Sequence, residues 1–144
     1  MLIVLFQPEL RHALNTLEVV LKRSEVRGAL SQALEVVSAA AFSLAGAGRG
    51  ALLVLTRHDS VNELLPGGVP LGGHVSPEIL EAIFRKVSPV HDGATIVEGD
   101  RITRVGALLP LSQNEKLPRT WGTRHRAGMG LAERSDAIVV VASE

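Results

Sequence analysis

Two polar clusters, His91-Asp92-Gly93-Ala94 and Gly122-Thr123-Arg124-His125-Arg126, carry the residue types in this chain best suited to chemistry. The first sets an imidazole and a carboxylate beside a glycine. Gly93 lets a ligand approach the backbone, Asp92 can hold a metal or receive a proton, and His91 adds a nitrogen ligand. Asp-Gly is also a common turn dipeptide, so the cluster reads equally as punctuation before a strand. The second cluster falls at a helix start, where amides without helical partners and the positive end of the helix dipole favour phosphate oxygens. Thr123 can donate from hydroxyl and backbone, and Arg124 supplies paired charge-assisted hydrogen bonds that lysine would not reproduce. The plainer alternative is a capped, solvated basic helix face, with Trp121 packing under the turn. Together the clusters point to a site for phosphates and a metal.

The rest of the chain must position these groups. Its 144 residues suit one domain with a real core. Fifteen basic and fifteen acidic side chains cancel, so no overall basic field argues for nucleic acid, and any anion site is local. The absence of cysteine excludes disulfides, zinc ribbons and thiol catalysis, and permits a reducing cytosol. The apolar run Leu2 to Phe6 is far shorter than the ~20 residues a membrane helix needs, and reads as a core strand, a helix start or a stump. No secretory signal is visible there. Val26 to Leu44 is interrupted by Arg27, Gln32 and Glu35, and reads as an amphipathic or buried helix that does not span a bilayer.

Pro8, Leu10, Ala13, Leu14, Leu17 and Leu21 predict a first helix, with His12 on its polar side. A second starts after Ser24, carries Val26, Ala29, Leu30, Ala33, Val37 and Leu44, and stops at Gly46 and Gly48. Ala51 to Thr56 is a central strand. The prolines and glycines of Arg57 to Val75 predict a long loop or irregular arm, with His58 and His74 unassigned. Ser76, Pro77 and Glu78 open a helix carrying Ile79, Leu80, Ile83, Phe84 and Val87 and stopped by Pro89. Thr95 to Glu98 and Arg101 to Leu109 form a hairpin. Pro110 to Trp121 is a loop. Thr123 caps a helix running to about Arg134, in which Gly128 and Gly130 suggest close backbone contact. Ser135 and Asp136 turn the chain into a last buried strand, Ala137 to Ala142. The fold class is α/β, a single domain with a mixed central sheet flanked by helices.

The order FQPELR at Phe6 to Arg11, HDGA, LPLS at Leu109 to Ser112, GTRHRA at Gly122 to Ala127, and Ser143-Glu144 resembles the catalytic domain of diadenylate cyclases, most nearly the membrane-anchored bacterial type. The resemblance covers essentially residues 1–144. It implies condensation of two ATP molecules into cyclic di-AMP with release of two pyrophosphates, across a face-to-face homodimer. Asp92, Arg124 and Arg126 would be catalytic. Gly93, Ala94, Leu108, Leu109, Gly122, Thr123, Arg124, His125, Arg126 and Ser143 would bind nucleotide, with Leu108 and Leu109 lining the adenine pocket. His91, Asp92 and Glu144 would hold a divalent metal, magnesium or manganese with cobalt also admissible. ATP is the implied partner, and nucleic acid is not.

The membrane-anchored type often has an aromatic residue at the position of Leu108, and this chain has no tyrosine. The resemblance also implies membrane helices before Phe6 and further sheet and helix beyond Glu144, hence a cytoplasmic-side domain anchored only through segments outside these 144 residues. Two other readings stand beside it: a domain that binds ATP or cyclic di-AMP without turnover, and an HD-type metal phosphohydrolase, which needs the His-Asp pair on a helix.

Overall fold

The computed structural model describes residues 2–5 and 28–143. Ala51–Leu55 (β2) is buried at every position, as its apolar run requires, and lies inside a six-stranded mixed sheet. Leu2–Leu5 (β1) forms one edge, parallel to Ile138–Ala142 (β6), which runs antiparallel to β2. On the other side of β2 come Ala94–Glu98 (β4, parallel), Arg101–Ala107 (β5) and the edge strand Val69–His74 (β3). Alternate residues of each strand feed opposite faces. On one face Leu53, Val97 and Val140 meet Leu34, Val37 and Leu44 of Ala29–Gly46 (α1) and Leu80 of Pro77–Ile83 (α2). On the other, Leu52, Ile96 and Val139 meet Ala127 and Leu131 of Thr123–Ala132 (α3). The result is a layered α/β architecture, the expected class.

Local signals explain most boundaries. Ser76 caps α2 by accepting the Ile79 amide at 3.3 Å, with Pro77 in the first turn. The Asp136 carboxylate accepts the amides of His58 and Asp59, each at 3.0 Å, and so ties the exit of β2 to the entry of β6. Burial alone would raise the Asp136 pKa, but these amides and the His58 ring outweigh it and hold the carboxyl below its ordinary value. By length and composition α1 could cross a membrane, yet Val37, Ala41 and Leu44 are buried against the sheet.

Four expectations need correction. Arg57 to Val75 is not one long loop: it holds a short 3-10 helix, Asn62–Leu64, and strand β3. An edge strand tolerates Pro70 and the glycines because only one side of its ladder is used, and its pairing with β5 shifts register between Pro70 and Gly73. Helix α1 begins at Ala29, later than expected, because its cap residue Gly28 has φ 86° and cannot continue a helix. Helix α2 ends at Ile83, and Val87, expected on its apolar stripe, is 89% exposed. Gly122, not Thr123, is the cap residue of α3. The expected first helix, FQPELR, His12, Ser24, Val26 and Glu144 lie outside the described residues.

Candidate active site

β2 and β4 run one way and β5 and β6 the other, so the starts of the first pair and the ends of the second share one rim of the sheet. Helix α3 begins at the same rim. Between them lies a cleft of about 760 Å³, within the range of small-molecule sites. Asp92 and Gly93 reach it from the start of β4, Leu108 and Leu109 from the end of β5, Ser143 from the end of β6, and Gly122, Thr123, Arg124 and His125 from α3. The structure therefore brings the two polar clusters together.

On the β4 side, His91 Nδ1 is 2.7 Å from the Ser88 carbonyl oxygen. A carbonyl only accepts, so Nδ1 carries the hydrogen, and any lone pair of the ring is on Nε2. That atom lies 3.4 Å from Asp92 Oδ1, and the Asp92 side chain is 85% exposed. Imidazole nitrogen with carboxylate oxygen suits a divalent ion that also takes phosphate oxygens. No group of three such donors occurs among the described residues, and of this pair Asp92 lines the cleft while His91 stands outside its lining.

On the opposite wall no side chain caps α3 from Gly122, and the helix end faces the cleft. Instead the Gly122 amide donates to His125 Nδ1 at 3.1 Å, one half of a capping box. His125 is 5% exposed, and burial first, then the Arg124 charge, lowers its pKa below the usual imidazole value. A neutral ring with an accepting Nδ1 follows. Trp121 stacks on it with centroids 5.5 Å apart and planes at 24°. Arg124 crosses Gly50, where a Cβ would overlap its guanidinium. At the far side of α3, a Cβ on Gly130 would overlap the Pro110 carbonyl, the close contact its glycines suggested.

Several expected site residues are placed differently. Ala94 is fully buried in the core and does not line the cleft. Arg126 also lies outside the lining, because two residues along a helix turn the side chain roughly 200° from Arg124. Gly93 lines the cleft, but its necessity comes from elsewhere: φ is 91°, and a Cβ would lie 2.7 Å from the Ala107 carbonyl oxygen. Leu108 is 62% exposed at the mouth. The His91-Asp92 pair precedes a strand rather than lying on a helix, contrary to an HD phosphohydrolase. Gly50, Leu52, Leu111 and Trp121 were not singled out as site residues from the sequence; the first three reach the site through tertiary contact, while Trp121, read only as packing under the turn, stacks on His125 four residues along the chain.

The profile of the family described as DAC, DisA bacterial checkpoint controller nucleotide-binding, matches residues 38–144. The chain belongs to this family. Its DAC relatives include the diadenylate cyclase of Listeria monocytogenes, 35% identical over 99% of this chain, and the cyclic di-AMP synthase CdaA of Bacillus subtilis, 36% identical over the same share. The chain spans 54% of the length of each. A solved structure of DacA from Staphylococcus aureus, a double mutant, superposes with a TM-score of 0.74 at 34% identity, covering 78% of this chain and 75% of that one.

Proposed function

We propose that this DAC-family chain condenses two ATP molecules into cyclic di-AMP, releasing two pyrophosphates, with one ATP held by each protomer of a face-to-face homodimer. The observation that carries the reading is the meeting of Asp92 with Thr123 and Arg124 across one nucleotide-sized cleft. Relatives named diadenylate cyclase and cyclic di-AMP synthase supply the reaction class. The α3 amides, Thr123 and Arg124 bind and orient the phosphates, and Ser143 meets them from β6. Leu108 and Leu109 give the adenine an aliphatic wall.

In each half-reaction a ribose hydroxyl from the facing ATP attacks the α-phosphorus. The new phosphorus–oxygen bond forms as the bond to the pyrophosphate leaving group breaks. Asp92 takes up or orients the hydroxyl proton, and Arg124 balances charge on the phosphates. A divalent magnesium or manganese ion, when bound by His91 and Asp92, supplies charge neutralisation at the phosphates and acidifies the attacking hydroxyl. Each protomer holds only one reactant, so turnover requires the pair.

Incubation with ATP and magnesium or manganese, followed by mass identification of products, tests the reading. Cyclic di-AMP with pyrophosphate is expected; bound but unchanged ATP would leave only a nucleotide-binding domain, and orthophosphate would indicate a hydrolase. Asp92→Asn is expected to remove product while retaining most ATP binding, and substantial residual turnover refutes the role given to Asp92.

A further inference from the structure

We propose that Trp121 is a positioning residue for the phosphate side of the cleft, acting through His125 to hold the first turn of α3 where Thr123 and Arg124 meet phosphate oxygens. This rests on the nucleotide reading above and adds a residue that the polar clusters do not contain.

Gly122 is a difficult place to anchor a binding site. It caps α3 without a side chain, and glycine permits many backbone directions. Three contacts restrict it from outside. The Trp121 amide donates to the Pro118 carbonyl at 3.1 Å, closing the turn that delivers the chain to Gly122. The Trp121 ring stacks on His125, three residues into the helix. The His125 ring in turn accepts the Gly122 amide at 3.1 Å. Residues 121, 122 and 125 thus form a closed loop of contacts that encloses Thr123 and Arg124 in sequence, and both of these line the cleft. Loss of the indole leaves the hydrogen bond in place but removes the stacked face against which its acceptor ring is set, so the helix start gains angular freedom. The adenine wall, Leu108 and Leu109, comes from the end of β5, on a different element. A positioning role at α3 therefore affects phosphates and not the base, whereas a general packing role affects both.

Trp121 is the single tryptophan of the chain, so its emission reports on this loop directly. In the wild-type protein, titration with ATP or pyrophosphate is expected to change Trp121 emission, and titration with adenosine is not. In Trp121→Ala, ATP affinity should fall about three- to ten-fold, the range for one aromatic stack, with adenosine affinity unchanged. Trp121→Phe should restore most of the ATP affinity. Equal losses for ATP and adenosine, no loss for either, or failure of phenylalanine to rescue would overturn the proposal. If Trp121→Ala does not fold, the emission titration decides, and an equal or absent response to the three probes overturns it. Absence of ATP binding by wild-type protein in calorimetry would instead sink the nucleotide reading itself.

Discussion

Replacing Gly50 by alanine should separate function from stability in an unusual way. A Cβ built at Gly50 falls 2.5 Å from Arg124 Cζ. Carbon atoms in comfortable contact are about 3.5 Å apart, so the guanidinium must retreat by roughly 1 Å. It is the far end of a flexible side chain, and the shift is mechanically easy. Gly50 is also outside the left-handed backbone region, and alanine there reduces unfolded-state freedom by about 0.4–1 kcal/mol. The net change in stability should therefore stay within about 1 kcal/mol. Catalysis has no such tolerance, because a misplacement of about 1 Å in a reacting constellation costs on the order of 10²-fold. The assay pairs urea unfolding, followed through Trp121 emission, with the initial rate of cyclic di-AMP formation. Normal turnover in Gly50→Ala would show that Arg124 has no fixed post over the β2 entrance. A large fall in stability would show that the arginine does not yield, and either result refutes the reasoning.

Gly130→Ala makes the opposite case: the added Cβ meets the Pro110 main chain, which cannot swing aside, so unfolding free energy should drop by about 1–3 kcal/mol in urea titrations. Asp136 stabilises the fold through a carboxyl held below its ordinary value of 3.8, so its contribution is present above that pH and fades as pH falls from there toward the lowered folded value. Asp136→Asn should accordingly be less stable than wild type near neutrality, with the two thermal midpoints converging in acid; a constant gap would contradict this. In dilute protein the rate of cyclic di-AMP formation should rise more than linearly with enzyme concentration. Strict proportionality, with monomers shown by sedimentation, would contradict a shared reaction centre.

Elements that bury both faces were the most legible. The run Ala51 to Thr56 and the last strand read correctly because nothing but burial explains such continuous apolar stretches, and Ser76-Pro77-Glu78 marked its helix start through capping chemistry. Strand β3 was illegible because edge pairing accepts the same prolines and glycines that write a loop. The two polar clusters were visible as residue types, but their meeting was not, since it depends on the antiparallel return of β5 and β6 to the rim where β4 begins. Grouping Arg126 with Arg124 followed the motif rather than the helical period, which separates them. Gly50 acts through Arg124, far away in sequence, and a linear reading has no access to such a contact, while Trp121 was legible only as packing under the turn.

The pairing of β1 with β6 has a consequence for handling the protein. Leu2 to Leu5 lie beside Val139 to Ala142, so four residues at the very start of the chain cover the outer amides of the strand that delivers Ser143 to the cleft. Remove them, and a fully buried apolar strand becomes an open edge, a template on which other chains can add. An amino-terminal deletion would thus register first as self-association through that bare ladder. Because β1 runs parallel to β6, with Leu5 beside Ala142, the end of β1 also lies at the rim that holds the cleft, so what is done to this short strand is felt beside Ser143.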